Sequence, residues 1–372
     1  MPTDVYTQGG MREDLSDVYE MLVMKGIDVV QKLIAVGKPA ENIKHEWVEG
    51  ELGSSRATLN GAINDSVTTV VVAAGDGQKF RIYTVFKFVN SDELLQVTAI
   101  STDTLTVVRG YNGTTAGGHS DGRVIRIISH PVLDNASIST VSRSADVIRS
   151  TNYNYVQNFF DFVEVDDVTE ASNFAGVKSE LAEQLEARLL RFKENIDNLI
   201  IAGVRSAGAL NSSVTRTMGG LRGYVTGDAV YDASSASISK ALINTCLEDI
   251  WDNGGTPTHM LVPPAQKIKI NSLYDGNLFI ERKDTVYGKL INTIETDFGS
   301  IDVVMTRAVE DNEAFIVDIS RIKRMPMKGL DFAVEPVPRD GTLQRKMVSG
   351  HYTMEVFNGN KCFARITNLS TS

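Results

Sequence analysis

The hydrophobic pattern changes character several times along the chain, and each change predicts a different kind of element. Residues 1–40 place apolar side chains at Met21, Leu22, Ile27, Val30, Leu33 and Ile34, but Gly26, Gly37 and Pro39 interrupt them before an amphipathic repeat is complete. Such a segment suits either an arm laid on a neighbouring chain or a marginal helix pair on its own domain. From about 60 to 130 the pattern is that of strands. Residues 67–72, 80–88, 94–100, 105–108 and 124–128 are short runs of Val, Ile, Thr, Phe and Tyr, the side chains that fit a pleated surface. Turn residues at 75–77, 90–92, 101–103 and 110–122 separate them. Five strands at this spacing predict a small β-barrel or sandwich inserted into the chain.

The period then switches to that of a helix over 172–202. Phe174, Val177, Leu181, Leu185, Leu189, Phe192, Ile196 and Leu199 recur at steps of three and four. Lys178, Glu183, Glu186, Arg188, Lys193, Glu194 and Asp197 are assigned to the remaining surface. Ser172 or Asn173 is the expected cap and Gly203 the stop, for a rod roughly 45 Å long. Polar, glycine-bearing loops with short strands follow over 204–235. A second helix is predicted over 236–252, ended by Asn253-Gly254-Gly255. A strand over 259–262, a short helix from Pro263-Pro264 to about Leu273, and strands at 301–305, 314–318, 332–336 and twice within 343–368 complete an α+β chain.

Composition narrows the function classes. The chain has 372 residues, 42% hydrophobic and 23% charged, enough for a core and two or three domains. No apolar run reaches the length of a membrane-spanning helix, and the start lacks the basic head and apolar stretch of a secretory signal, so folding in cytoplasm is expected. A formal net charge of -10 argues against coating DNA by phosphate neutralisation, although a closed acidic shell can still contain it. Cys246 and Cys362 are too few for a disulfide framework and lack metal-ligand spacing.

No catalytic constellation emerges. The glycine-rich segment 109–122 has no lysine in or directly after it and is flanked by strand-forming residues, which reads as a hairpin or loop rather than a phosphate cradle. His45, His119, His130, His259 and His351 are scattered, without zinc-site spacing. The carboxylates at Glu46, Glu49 and Glu51, and at Glu164, Asp166, Asp167 and Glu170, read as solvated surface or inter-subunit ion pairs, with a hydrolase dyad the minority reading. The basic stretch 323–328 is short and set among strands, unlike a nucleic-acid arm. The residues alone reach a soluble α+β protein with an inserted β-module and one beam-like helix.

Several segments carry a resemblance beyond that point. His45-Glu46-Trp47 leading to Leu52, the stretch Arg109 to Ala116, the long helix, the Gly-Gly, strand, Pro-Pro order over 236–264, Thr296-Asp297-Phe298-Gly299, and the closing pattern from Asp340-Gly341 to Asn368-Leu369 stand in a shared order. In this the chain resembles tailed-phage major capsid proteins with the Hong Kong 97 (HK-97-like) fold, in the branch similar to the phage SU-10 major head protein. The likeness covers about nine tenths of the chain and is weakest over the first 35 residues.

That resemblance implies an N-terminal arm over 1–40, an extended loop over 41–135 carrying the β-domain, a peripheral domain with the spine helix over 136–230, an axial domain over 231–345, and C-terminal strands over 346–372. It implies a structural role without cofactor, metal or enzymatic site: self-assembly through hexamers and pentamers into an icosahedral head around double-stranded DNA, contacted weakly and without sequence specificity. Scaffolding, portal and decoration proteins are further expected partners, and no membrane. No long scaffolding segment precedes the capsid portion, so assembly is expected to use a separate scaffold or none. The residues chosen as subunit-contact candidates are Trp47, Tyr111, Asn112, Lys178, Glu183, Arg188 and Glu194, with plain core the competing reading for Trp47. An encapsulin-like compartment, or a surface-binding protein acting through its β-module, are the alternatives.

Overall fold

The computed structural model describes residues 28–52, 55–134, 136, 147–172, 178–209, 213–274 and 293–371. The chain divides into two compact units, one made of the residues up to Trp47 and from Asn152 onward, the other of Val48–Thr151. The two-stranded ribbon of Lys44–Leu52 and Val147–Tyr155 runs from the first into the second and back.

The larger unit is built on two sheets. The long strand Leu343–Val356 organises the five-stranded one. It pairs antiparallel with Gln157–Asp166 on one side, and with Ala333–Asp340 and Ile322–Pro326 on the other. Ala35–Val36 extends the sheet in parallel beside Ile322–Pro326. Strand alternation points Phe159, Val163 and Val165 inward, where Val163 and Val165 meet Leu181 and Leu185 of the long helix. Phe192, Ile196, Ile200 and Ile201 from the same helix enter the main core.

The second sheet has six strands, in the order Val230–Asp232, Ala364–Thr367, Ala314–Val317, His259–Val262, Gly299–Met305 and Thr293–Thr296. Ala314–Val317 is buried at all four positions, as expected of a central strand covered on both faces. The helix Lys240–Asp252 turns Ile243, Cys246, Leu247 and Ile250 into this unit's second core, and its Ser239 cap accepts a hydrogen bond from Leu242 N–H. The stretch 231–345, expected to form one axial domain, is therefore shared: Ile322–Pro326 and Ala333–Asp340 belong to the five-stranded sheet. Their partner Leu343–Val356 lies far along the chain from Gln157–Asp166, and periodicity carries no information about such pairing.

The long helix is Glu180–Ala202, 23 residues, hence roughly 34 Å rather than 45 Å. Asp167–Ala171 is a separate short helix. Ser179, not Ser172 or Asn173, caps the long helix by accepting from Ala182 N–H, and Glu170 accepts from Leu181 N–H at 3.0 Å and Ser179 Oγ at 2.6 Å. Phe174 and Val177 lie outside the described residues. Gly203 does end the helix, for a reason the pattern does not contain. A Cβ on Gly203 would meet the Leu199 and Met218 carbonyl oxygens at 2.5 and 2.7 Å, and one on Gly220 would meet Leu199 O at 2.5 Å. Two glycines let the backbone pass against the helix end, where Gly220 N–H donates to Gly203 O at 2.9 Å.

Residues 28–40 pack on this same unit, which corrects the arm reading for them; residues 1–27 lie outside the described set. Val30 and Ile34 sit in the main core, and the helix Val29–Leu33 presents its first N–H groups to Asp197. Asp197, assigned by pattern to the helix surface, is 2% exposed.

The unit Val48–Thr151 holds a six-stranded antiparallel sheet, in the order Arg56–Thr58, Val124–Ser129, Val85–Phe88, Leu94–Ser101, Thr104–Val108 and Thr69–Val71. Its ends join: Leu59 bridges Val72, Asn60 N–H donates to Val71 O and Ala73 N–H to Thr58 O, both at 2.8 Å. The sheet thus closes into a small barrel without free edges. Phe80, Phe86, Phe88, Leu95 and Leu105 fill it. The closing strand Arg56–Thr58 was missing from the sequence-based set of five, being too short to show alternation.

Candidate subunit interface

The residues expected to touch neighbouring subunits divide by environment. Trp47 is 5% exposed and packs in the main core beside Tyr224 and Phe357, with ring centroids 5.9 and 6.2 Å away. His45, stacked near it, meets Glu355 at 2.6 Å. The core reading of Trp47 is the one this packing supports, and it removes Trp47 from the exposed candidates.

Tyr111 and Asn112 lie on a tight turn, with Gly110, Asn112 and Gly113 all left-handed. Asn112 is exposed and Tyr111 partly buried. Beneath the turn lies a polar cluster that sequence reading missed. Glu93 accepts from Arg109 through both oxygens, at 2.6 Å from Nε and 2.9 Å from Nη2. Gly117 N–H reaches the same carboxylate at 3.0 Å and His119 Nε2 at 2.9 Å. Arg123 approaches His119 Nδ1 at 3.2 Å; since arginine only donates, Nδ1 accepts and Nε2 donates to Glu93. Burial alone raises the Glu93 carboxyl, but hydrogen bonds from Arg109, Gly117 and His119, with the Arg109 charge, overcome it and hold the group at about 2. Arg109 also donates to the Asn64, Val67 and Gly117 carbonyl oxygens. The glycine-rich stretch is therefore a loop tied down by a buried carboxylate. A Glu that follows Asp92 at the edge of an apolar run gives no sign of this.

The helix candidates do not converge. Lys178 is exposed just before the helix, Glu183 and Glu194 are partly buried, and Arg188 is exposed. At 3.6 residues per turn Glu183 and Glu194 share a side, while Arg188 points about 140° away from Glu183. Arg188 lies 3.5 Å from Asp161 and, with Arg191 and Asn195, lines an open cleft of about 330 Å³ beside Asn158 and Phe160. Phe160 and Phe162, on the outer face of Gln157–Asp166, are 58% and 48% exposed; neither was among the candidates.

The acidic stretches offered as a hydrolase alternative are engaged in local structure. Glu164 pairs with Arg345 at 3.0 Å, and Asp167 with Arg339 at 3.1 Å and Gln344 at 2.7 Å. Both cysteines are buried, and burial pushes the Cys246 thiol up to about 12. Among the described residues no group of three or more His, Cys, Asp or Glu is placed to hold a metal ion, and no helix is long and apolar enough to cross a membrane.

Comparison with known proteins gives this architecture a family. The fold is similar to the capsid of a native GTA particle, with a TM-score of 0.55 at 7% identity over 98% of both chains. It is also similar to the capsid of Myoviridae phage XM1, with a TM-score of 0.52 at 11% identity, covering 97% of this chain and 100% of that one. An encapsulin from Synechococcus elongatus covers only 63% of the chain, with a TM-score of 0.44 at 13% identity, too distant to carry an argument. No curated protein matches in sequence. The family model described as SU10 major capsid protein matches residues 2–370. The chain belongs to the SU10 major capsid protein family, and it has the HK-97-like fold of phage capsids.

Proposed function

We propose that this major capsid protein builds the icosahedral head of a tailed bacteriophage from hexamers and pentamers, assembling in the host bacterial cytoplasm around double-stranded DNA that it contacts weakly. The observation that carries the reading is the family match across nearly the whole chain. In this reading the five-stranded sheet and long helix form the peripheral domain. The six-stranded sheet with the helices Lys240–Asp252 and Pro264–Tyr274 forms the axial domain, and the barrel enlarges the extended loop. Shell building needs heterologous contacts whose rotations close, and each contact can be weak because every subunit is held by several neighbours. Scaffolding, portal and decoration proteins are the further partners that such a shell implies.

Negative-stain microscopy of the purified chain, across protein concentration and salt, tests the proposal. Uniform closed shells are the expected result. A protein that stays a lone subunit under every condition overturns it, and shells that enclose an enzyme rather than DNA in the native source favour the encapsulin alternative.

A further inference from the structure

The short helix Val29–Leu33 is held by a group that is not its own. Its N-cap residue, Asp28, makes no capping hydrogen bond, and its carboxylate lies 2.8 Å from Lys32 Nζ one turn on. Asp197 of the long helix takes the place of the cap: its two carboxylate oxygens accept from Val30 N–H at 3.0 Å and Gln31 N–H at 2.9 Å. Asp197 is buried, Gln31 Nε2 also donates to Lys193 O at 3.2 Å, and Val30 and Ile34 sit in the main core. A helix of five residues has too few internal hydrogen bonds to persist alone, so it exists as a docked element or not at all. The residues after it are anchored differently. Ala35–Val36 pairs with Ile322–Pro326, Gly37 N–H donates to Arg324 O and Ala40 N–H to Pro326 O, all backbone contacts that do not titrate. Opening of the helix therefore leaves 35–40 in place as its hinge.

The charged groups around Asp197 are Asp28 and Lys32 on the short helix, Lys193 and Glu194 one turn earlier on the long helix, and Arg324, which reaches Gln31 Oε1 at 3.5 Å from the strand Ile322–Pro326. Burial, reinforced by the Asp28 charge, outweighs the N–H groups and holds the Asp197 carboxyl at about 6. With the helix open, the carboxyl meets water, Asp28 moves off, and the group returns toward its ordinary 3.8. A group that binds its proton more tightly in the docked state favours docking when protonated. Docking is therefore strongest below about pH 4 and weakens as pH rises through about 6. Over the whole window the docking equilibrium changes by about a hundredfold. We propose that Asp197 is a proton-operated latch: protonated, it keeps the helix Val29–Leu33 seated on the long helix, and ionised, it lets that helix open about the hinge at 35–40. The latch is a property of the single chain and does not depend on the shell-building reading.

Hydrogen exchange of the full chain, followed by mass spectrometry from about pH 4.5 to 7.5 and corrected for the intrinsic rate, tests the latch. Protection over 28–34 should fall roughly thirtyfold across that range, while 35–40 and the central strand Ala314–Val317 keep theirs. Asp197→Asn, neutral at every pH and still able to accept a hydrogen bond, should hold 28–34 with little dependence on pH. Asp28→Asn removes the charge that reinforces burial, so its fall should come at lower pH. Trypsin cleavage after Lys32, divided by the rate on an unstructured peptide, is a second readout; it should quicken with pH in the parent and not in Asp197→Asn. Unchanged protection of 28–34 across the range overturns the latch. So does a fall that Asp197→Asn shares, which assigns it to another group, or one that Ala314–Val317 shares in full, which makes it a global loss of stability. Should Asp197→Asn fail to fold, Asp28→Asn decides: a fall that stays where the parent's is overturns the proposal.

Discussion

Two buried carboxylates set opposite pH responses. Glu93, held near 2 against an ordinary value of 4.5, is better placed as an anion in the folded barrel than in the unfolded chain. Its contribution is therefore complete above about pH 4.5 and is lost as pH falls toward 2. Removing it leaves Arg109 buried without its counter-charge, so Glu93→Ala should cost about 3–5 kcal/mol in denaturant unfolding of the barrel. Asp197 works the other way. Burial raises its carboxyl to about 6 against 3.8, countered in part by the Gln31 and Val30 N–H groups and reinforced by the nearby Asp28 charge. The charged form is the one penalised in the fold, so this group lowers stability progressively as pH rises from about 4 to 6. Asp197→Asn should flatten the stability profile in that window. Asp197→Ala should leave the Val30 and Gln31 N–H groups without an acceptor, speeding hydrogen exchange over 28–34 at a cost of about 1–3 kcal/mol.

Elements here depend on close backbone passage as much as on their own propensity. The apolar stripe of the long helix was readable in advance, but its start was not: the cap is Ser179 and the acidic first turn is Glu180 and Glu183, seven to eight residues after the expected start. Its end depends on the contact between Gly203 and Gly220, seventeen residues apart in the chain. Gly220→Ala should cost about 1–3 kcal/mol by forcing the helix end away from the following segment, measured as a lowered unfolding midpoint with unchanged slope. In the barrel, closure by Arg56–Thr58 against Thr69–Val71 through Leu59 and Val72 replaces two exposed strand edges with paired backbone. Five of the six strands were legible there; the choice between barrel and sandwich was not, because pairing between ends is a matter of curvature rather than of local pattern.

For the whole molecule, division into two units gives a deletion test. Each unit has its own core, so replacing Val48–Thr151 with a short linker should leave a folded, soluble remainder with the far-ultraviolet signature of a mixed α+β protein. That remainder is expected not to form stable shells; normal particles would make the barrel a decoration. Net charge leads to a second expectation. Subunits that each carry ten excess negative charges repel, and salt screens exposed charges beyond roughly 8 Å at physiological ionic strength, so shell yield should rise with salt at first. Light scattering over a salt series reads this directly.

Part of the local order was written in the sequence: strands within 67–128, 259–262, 301–305 and 314–317, the long helix up to its stop at Gly203, and the loop within 109–122, but not the strands Lys44–Leu52, Val147–Tyr155 and Gln157–Asp166 or the helix start at Ser179. The legible parts follow from side-chain periodicity and turn chemistry, which act between residues a few positions apart. The resemblance that led to the capsid family was likewise carried by short segments in a fixed order. Tertiary structure alone decided that Trp47 is core, that Asp197 faces inward to hold residues 28–34, and that 322–340 joins Gln157–Asp166 through Leu343–Val356. Each of these depends on contacts between residues far apart in the chain. A polar side chain is exposed or buried according to what the fold brings against it, and no pattern confined to one element contains that partner.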